Sequence, residues 1–289
     1  GLELEGRTLG VIGLGNIGLP MARRVLAAGL PLKVWARRRE TAAALVDAGA
    51  SLAENPEALA GGCDVVATIV GGPDDVRELH RRMVPRARPG TVFVDMTTAS
   101  PGNARESGDL AALAGAFAID APVTGGVAGG TQGALTSFVG GDTDALARAR
   151  PVLEAFCRRI VPCGAPGSGY RMKLVNQTIV AGVLLGLADG AALARAGGMS
   201  APAVKDALGV GTASGFLFDS YLPRMVEPGG AVTFTLGMFR KDLGVARDEA
   251  VACGSSTRLL DFAIATVDAA CARHGARAGV QFLAAPDPR

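Results

Sequence analysis

The sequence predicts a chain in two parts, a doubly wound parallel α/β sheet followed by an all-helical region, with a long helix joining them. In the first part, short apolar runs alternate with amphipathic segments, which is typical of parallel strands connected by crossover helices. After the glycine- and proline-rich segment 162–169, almost no strand pattern remains. We therefore expect two domains, one over residues 1–164 and one over residues 165–289.

Apolar runs of strand length and helical periodicity predict the individual elements. The strand candidates of the first part are 8–15, 32–36, 64–70, 91–95, 116–121 and 135–140. Its clearest helices are 17–28, which Gly29 ends, 74–83 and 142–156. The helices of the second part are about 170–196, with Ser168 as a cap, 201–208, 214–225, 241–252 and 257–273. The polar tail 284–289 contains two prolines and is expected to be disordered.

Composition excludes some classes of partner. The 289 residues include 29 basic and 27 acidic side chains, a balance that gives no electrostatic footprint for nucleic acid or for an acidic membrane. The apolar run Leu174–Ala188 is shorter than the roughly 20 residues that span a bilayer, so we interpret it as part of a buried helix. We expect neither a nucleic-acid nor a membrane partner.

Two further features concern the location and assembly of the chain. Its five cysteines are irregularly spaced, without a C-x-x-C pair or a secretory leader before them, which favours reduced thiols in a cytoplasmic protein. A helix that is apolar on all sides, as 174–188 is, must be covered all round. A second subunit would cover it in a homodimer or homotetramer, and burial inside its own domain is the alternative.

The segment GLGNIG (13–18) satisfies the pattern G-x-G-x-x-G directly between a predicted strand and a predicted helix. In this setting Gly13 permits the tight turn, Gly15 lets the backbone approach a pyrophosphate, and Gly18 allows close helix packing. Asn16 and Ile17 lie at the amino end of the helix, where free N–H groups bind anions. The segment predicts a Rossmann-type dinucleotide site, with a plain glycine-rich turn as the alternative.

The second strand carries a signal for the type of dinucleotide. NAD-binding proteins usually place an acidic residue about 20 positions after the glycines, but here Ala36 is followed by Arg37, Arg38 and Arg39. Guanidinium groups bind a 2′-phosphate, which a carboxylate would repel. We expect NADP(H) to be preferred and NAD to remain possible. The alternative is a solvated helix start in an arginine-rich chain.

A polar group opens the long helix. Lys173, Asn176 and Gln177 have spacings that place them on one helix face. Only four of the 29 basic residues are lysines, and lysine, unlike arginine, can release its proton. The pattern favours proton transfer by Lys173, although a lysine near a helix start often points to solvent.

Two other segments have the chemistry of a substrate site. DAPVTGG (120–126) offers the Thr124 hydroxyl and the N–H groups of Gly125 and Gly126, which suit a carboxylate. In FTLGMFRKDLGVA (234–246), Lys241 interrupts an apolar pattern at a predicted helix start. A common loop and a surface turn are the respective alternatives.

Taken in order, five motifs resemble those of the β-hydroxyacid dehydrogenase family, which includes 3-hydroxyisobutyrate dehydrogenase and tartronate semialdehyde reductase. They are GLGNIGLPMA (13–22), DMTTASP (95–101), DAPVTGG (120–126), GSGYRMKLVNQ (167–177) and FRKDL (239–243). The resemblance implies a nucleotide-binding domain, a long linking helix, a helical second domain and oligomers.

The resemblance also implies roles for individual residues. Lys173 corresponds to the lysine that acts in proton transfer, and Asn176 follows it as an orienting amide. Thr124, Gly125 and Gly126 correspond to the turn that holds the substrate carboxylate, where the family usually has serine. The remaining expected contacts are Val70 and Thr98 beside the cofactor, Lys241 near nicotinamide and substrate, and Gln177, Phe216 and Tyr221 around the substrate.

The chain departs from the family pattern in two places. The family commonly has two asparagines after the lysine, whereas this chain has Asn176 and Gln177. The usual leucine-proline pair is replaced by the segment from Val70 to Pro73. Both changes bear on the identity of the substrate and leave the type of reaction as it is.

The sequence thus predicts an oxidoreductase that oxidises a small 3-hydroxy acid or reduces the matching semialdehyde. The nicotinamide would carry the hydride, and Lys173 would give or take the hydroxyl proton. Imine reductases share the scaffold but typically lack the lysine, and a non-catalytic NADP-binding protein is the other alternative. His80 has the pattern of an ordinary helix surface and a structural role, and no zinc spacing or nucleophile elbow indicates a metal site or a hydrolase.

Overall fold

The computed structural model describes residues 8–285, so the last four residues of the predicted disordered tail lie outside the described residues. The chain divides into two compact units, the first ending at Lys173 and the second beginning at Leu174. This division falls inside one long helix, whose residues therefore belong to both units.

The first unit contains a mostly parallel sheet. Among the described residues its strands are β1 (Leu9–Ile12), β2 (Leu32–Trp35), β3 (Ser51–Leu52), β4 (Val65–Thr68), β5 (Val92–Asp95), β6 (Phe117–Asp120), β7 (Val123–Thr124), β8 (Leu135–Gly140) and β9 (Cys157–Gly164). Their order is β3-β2-β1-β4-β5-β6-β8-β7, with β9 also paired to β8. The pairs from β3 to β6 are parallel, and β8 runs antiparallel to β6. The predicted doubly wound sheet is confirmed.

Burial explains which strands could be predicted from the sequence. All four residues of β1, β4 and β5 are buried, as expected for strands covered on both faces, and all six predicted strands are present. Three strands were not predicted. Two of them, β3 and β7, have only two residues, and β9 carries exposed arginines and a proline, as strands near a sheet edge often do.

Within residues 8–173, seven α-helices connect these strands. They are α1 (Gly18–Ala27), α2 (Ala43–Asp47), α3 (Pro56–Gly62), α4 (Pro73–Met83), α5 (Pro101–Leu113), α6 (Gly126–Gln132) and α7 (Thr143–Glu154). Side chains cap several of them. Asn55 accepts the N–H of Ala58 ahead of α3, and Ser100 forms a capping box with Asn103 at the start of α5.

The long helix is followed by four more in the part of the second unit that the structure describes. The elements are α8 (Ser168–Ala196), α9 (Ala201–Leu208), α10 (Phe216–Val226), α11 (Leu236–Ala252) and α12 (Arg258–His274). The predicted start of α11 is wrong, because Thr235 caps this helix by accepting the N–H of Met238. Lys241 therefore lies in the second turn of α11 and not at its start.

The side chains of α8 differ in exposure along its length. By length and composition alone this 29-residue helix could cross a membrane, and 39% of its most apolar window is buried. The predicted long helix over about residues 170–196 is confirmed, whereas the expected burial of its apolar run is only partial. Val175, Ile179 and Val183 are exposed at spacings of four residues, so they form an apolar stripe on one face.

Candidate functional site

The predicted cofactor residues of the first unit lie at one edge of the sheet. Gly13 follows β1, Val70 follows β4 and Thr98 follows β5, and these strands are neighbours in that order. The register continues beyond the strand ends, since the N–H of Ile69 bonds the Ile12 carbonyl at 3.0 Å. Ligands of open α/β sheets bind outside the carboxyl ends of the strands, so the fold brings these residues to the expected edge.

The turn after β1 has room for a pyrophosphate. Gly13 has a φ of +99°, and a Cβ there would overlap the carbonyl oxygen of Ile69. A Cβ on Gly18 would overlap the backbone of Gly13, whereas one on Gly15 would meet nothing within 4 Å. The turn therefore packs tightly on the protein side and is open above Gly15, and it leads into α1, whose first turn has no acidic side chain. These features fit a dinucleotide.

The predicted 2′-phosphate site carries both signs of charge. Arg37 follows β2, and its side chain is 79% exposed. Its guanidinium lies 3.8 Å from the carboxylate of Asp75, in the first turn of α4. Arg38 and Arg39 are exposed as well. The arginines suit a phosphate, and Asp75 is a competing anion that the sequence analysis did not consider.

The turn predicted to hold a carboxylate has an unusual backbone. Thr124 ends β7 and pairs with Thr136 of β8. Gly125 and Gly126 follow with φ values of +124° and +64°, a region that side-chain-bearing residues rarely occupy. Gly126 begins α6, so the N–H groups of a helix start follow Thr124 directly in the sequence. This arrangement can bind an anion.

The first turn of α8 is anchored by a buried carboxylate at the end of β6. Asp120 accepts the N–H of Gly167 at 2.7 Å and that of Tyr170 at 2.8 Å. A Cβ on Gly169 would overlap the carbonyl oxygen of Phe138, so this turn packs directly against strand backbone. Burial raises the pKa of Asp120 to about 6, although the backbone hydrogen bonds act in the opposite direction.

Lys173 lies one turn beyond Tyr170 on α8. The residue is only 8% exposed, so its side chain does not extend into bulk water as a lysine near a helix start often does. Because the preceding turn is fixed by Asp120, the backbone that carries Lys173 is fixed relative to the carboxyl edge of the sheet. This geometry is compatible with a role at that edge.

In the second unit, the predicted residues of α8 and α11 form one polar chain. Asn176 donates its Nδ2 to Oε1 of Gln177 at 2.8 Å, and Gln177 donates its Nε2 to Oδ2 of Asp242 at 2.7 Å. The other carboxylate oxygen of Asp242 lies 2.7 Å from Nζ of Lys241. Gln177 and Asp242 are both buried, so the hydrogen bond between these two side chains is shielded from water.

The carboxylate of Asp242 determines which atoms donate and which accept in these hydrogen bonds. An ionised Asp242 can only accept, so Gln177 must present its N–H₂ group to it. The Gln177 carbonyl then accepts from Asn176, and the carbonyl oxygen of Asn176 remains as the acceptor that this end of the chain offers. The two hydrogen bonds thus give Gln177 an orienting contact with Asn176 in addition to the predicted role around the substrate.

The structure does not bring the two predicted aromatic residues together. Phe216 begins α10 and is 66% exposed, whereas Tyr221 is buried. The hydroxyl of Tyr221 lies 3.4 Å from Oγ1 of Thr233, and the guanidinium of Arg224 lies 5.0 Å from its ring centre. A spacing of five residues places them on different faces of the helix.

Several buried polar residues were missed by the sequence analysis. Asp95 ends β5 and accepts the hydroxyls of Thr68 and Tyr170. The prediction that His80 lies on a helix surface is wrong, since it is buried and its Nδ1 lies 2.7 Å from the Ser107 hydroxyl. Burial lowers the pKa of His80, which fits a neutral structural residue. The available signal was the spacing of His80 from Val76 and Met83, which share its helix face.

Two known families match the two parts of the chain. Residues 8–164 match the family described as the NAD binding domain of 6-phosphogluconate dehydrogenase. Residues 167–285 match the family described as the NAD-binding region of NADP-dependent 3-hydroxyisobutyrate dehydrogenase. Together the two matches cover most of the chain.

Individual proteins match it over nearly their full length. An NAD-dependent L-serine dehydrogenase of Pseudomonas aeruginosa is 33% identical over 268 residues, or 89% of this chain and 90% of that protein. The structure of Mycobacterium tuberculosis 3-hydroxyisobutyrate dehydrogenase with L-serine has a TM-score of 0.85 at 30% identity, covering 96% of this chain and 98% of that one. A structure described as Psf3 in complex with NADP+ and 2-OPP has a TM-score of 0.89 at 28% identity, with the same coverage.

Proposed function

Because the chain belongs to the β-hydroxyacid dehydrogenase family, whose members are NAD(P)-dependent oxidoreductases, we propose that it interconverts a small 3-hydroxy acid and the matching semialdehyde with NADP(H). The observation that carries this proposal is the buried Lys173 on a helix that Asp120 anchors at the carboxyl edge of the sheet. That is the edge at which the glycine turn after β1 is open for a dinucleotide.

Each group of residues has a separate task in the proposed reaction. A bound NADP(H) supplies the hydride carrier. The turn of Gly13, Gly15 and Gly18 binds the pyrophosphate, and the turn of Thr124 and Gly125 binds the substrate carboxylate. Holding the substrate at its carboxylate limits the positions that its carbon–oxygen bond can take, and restricted placement of the reacting groups favours the reaction.

The proton is assigned to Lys173. In the reducing direction its ammonium donates a proton to the aldehyde oxygen, and in the oxidising direction its neutral amine accepts the hydroxyl proton. Asn176 lies one helix turn further along α8 and offers its carbonyl oxygen as an acceptor, in the direction set by Gln177. That oxygen can hold the ammonium or the substrate hydroxyl in place.

The choice between the two dinucleotides is part of the proposal. Three consecutive arginines after β2 support NADP(H), as does the likeness to a structure that contains NADP+. The 33% identical serine dehydrogenase is NAD-dependent, and Asp75 lies beside Arg37. The ratio of kcat/KM for NADPH and NADH decides this point, and a clear advantage for NADH would overturn the NADP assignment.

The substrate is tested by a panel of hydroxy acids. The names of the similar proteins point to 3-hydroxyisobutyrate and L-serine. Glycerate, which has a hydroxyl group at C2, and the longer 4-hydroxybutyrate are added to the panel. Each is mixed with NADP⁺ or NAD⁺, and the absorbance of the reduced nicotinamide is followed. We expect turnover of at least one 3-hydroxy acid, and little of 4-hydroxybutyrate, whose reacting carbon lies one bond further from the carboxylate.

Assembly and location belong to the same proposal. The exposed stripe of Val175, Ile179 and Val183 adjoins α12, because a Cβ on Gly182 would lie 3.5 Å from the Leu259 side chain. We assign this apolar surface to a second copy of the chain, in a homodimer or homotetramer. The five free cysteines support a reducing, cytoplasmic location.

A further inference from the structure

The carboxylate of Asp95 lies between the loops predicted to hold the cofactor and the helix that carries Lys173. It accepts the N–H of Thr97 at 2.9 Å and the hydroxyl of Tyr170 at 2.9 Å. The hydroxyl of Thr97 in turn accepts the N–H of Val70 at 3.0 Å. One buried acid therefore contacts the loop after β5, reaches the loop after β4 through Thr97, and holds the start of α8.

Tyr170 is the part of this network that belongs to α8. It is fully buried and packs with Val76, Ala99 and Ala104 of the first unit. Burial, together with the nearby carboxylates of Asp95 and Asp120, raises the pKa of Tyr170 well above its usual range. The phenol therefore stays protonated and remains a hydrogen-bond donor to Asp95 at any pH at which the enzyme would work.

The position of Tyr170 on the helix gives this contact a consequence for Lys173. Residues three apart in a helix share one face, so the tyrosine lies directly before the lysine. The backbone of this turn is held by Asp120 and its side chain by Asp95. These two carboxylates lie on neighbouring strands, so together they fix the position and the rotation of the helix turn that carries Lys173.

We propose that Tyr170 is a positioning residue, which through Asp95 aligns the helix turn that carries Lys173 with the cofactor loops after β4 and β5. The inference rests on the proposed function, since it takes Lys173 as the group that transfers the proton. Small errors in the placement of a proton donor reduce turnover strongly, so loss of the phenol hydroxyl should lower kcat more than it lowers cofactor affinity.

The test removes one hydroxyl at a time from the same buried region. Tyr170→Phe keeps the ring and loses the bond to Asp95. The matched control is Ser107→Ala, which loses the 2.7 Å contact with His80 but keeps the bond of Tyr170 to Asp95. Because Nε2 of His80 lies 4.0 Å from Oδ2 of Asp95, this control disturbs the same region without removing that bond. Asp95→Ala is the third variant, because it removes the oxygen that accepts from both Thr97 and Tyr170. The kcat, the Kd for NADPH and the Tm are measured for each.

The expected results separate positioning from plain stabilisation. Tyr170→Phe should lower kcat by roughly 30-fold and leave the Kd for NADPH within about twofold. Asp95→Ala should lower kcat and also raise the Kd by roughly tenfold, because the cofactor loops lose their shared acceptor. Ser107→Ala should keep kcat and Kd within about twofold even where its Tm falls as far as that of Tyr170→Phe. Equal kcat values for Tyr170→Phe and Ser107→Ala would overturn the inference.

A second measurement does not depend on a substrate. Acetylation of Lys173 by acetic anhydride is followed by peptide mass spectrometry, with the exposed Lys205 of the same chain as internal reference. We expect Tyr170→Phe to change the relative rate at Lys173 by at least about threefold, since a displaced amine has a new environment, and Ser107→Ala to leave it unchanged. If the wild-type protein turns over no hydroxy acid, the proposed function fails, and the relative acetylation rate at Lys173 alone decides the role of Tyr170. An unchanged acetylation rate in Tyr170→Phe would overturn the positioning role.

Discussion

The two units hold their predicted site residues by different kinds of contact. In the first unit, Asp120 accepts two backbone N–H groups at the start of α8, and the absence of a side chain on Gly169 lets that turn touch strand backbone. In the second unit, Asn176 is oriented by side chains alone, through Gln177 and Asp242. Backbone anchoring fixes where the helix lies, whereas the amide chain fixes which atom of one side chain faces outward. The first therefore governs placement and the second governs chemical selectivity.

The largest expected effect comes from Lys173 itself. Lys173→Ala removes the proposed proton donor, so kcat should fall by roughly a thousandfold, while the Kd for NADPH stays near the wild-type value. Lys173→Arg is the control for charge and should be almost as slow, because arginine keeps its proton. Steady-state kinetics and NADPH fluorescence titration measure both quantities. Near-normal turnover in either variant would remove Lys173 from the reaction and leave the backbone anchor without a catalytic purpose.

The next effect tests the amide chain of the second unit. Gln177→Glu places a carboxylate against that of Asp242, where the present separation of donor and acceptor is 2.7 Å. Repulsion between the two carboxylates should break the hydrogen bonds that orient Asn176 and lower kcat by roughly 10- to 100-fold.

The matched control for this prediction is a double variant. In Gln177→Glu/Asp242→Asn the amide of residue 242 donates to the new carboxylate, which can still accept from Asn176. Recovery of roughly tenfold in kcat would support an orienting role. If Gln177 instead contacts only the substrate, a change at Asp242 has no reason to restore activity, and the double variant should be no better than the single one.

A smaller effect is expected at the edge of the sheet where Arg37 and Asp75 lie. Arg37→Ala should raise the KM for NADPH by roughly tenfold and leave that for NADH within about twofold, since only NADPH carries the 2′-phosphate. Asp75→Asn should lower the KM for NADPH by roughly two- to threefold, because an exposed carboxylate next to the arginine repels that phosphate weakly. Equal changes for both dinucleotides in Arg37→Ala would contradict the assignment of this arginine.

The predictable parts of the molecule are those whose signal is local. Continuous apolar runs such as Val65–Thr68 identified the buried strands, and the segments that follow them carried the glycine turn and Thr124. The contact of Asp95 with Tyr170 joins residues 75 positions apart, and that of Gln177 with Asp242 joins residues 65 apart. Such pairs depend on strand order and on helix packing, which one sequence does not specify. The start of α11 was missed although the local signal, the cap Thr235, was present.

The smallest effect concerns the backbone anchor and its dependence on pH. Burial raises the pKa of Asp120 to about 6 in the folded protein, and an aspartate in an unfolded chain has a pKa near 3.9. Between these values the folded state binds more protons than the unfolded state, so this group makes the protein more stable as the pH falls through about 6.

Asp120→Asn is close in size and does not titrate, but its amide nitrogen cannot accept from Gly167 or Tyr170. The variant should be less stable at every pH, and its deficit in the free energy of unfolding should grow by about 1 kcal/mol between about pH 7.5 and about pH 5. Urea denaturation at the two pH values measures this change, and a deficit that stays constant or shrinks would show that Asp120 does not titrate in this range.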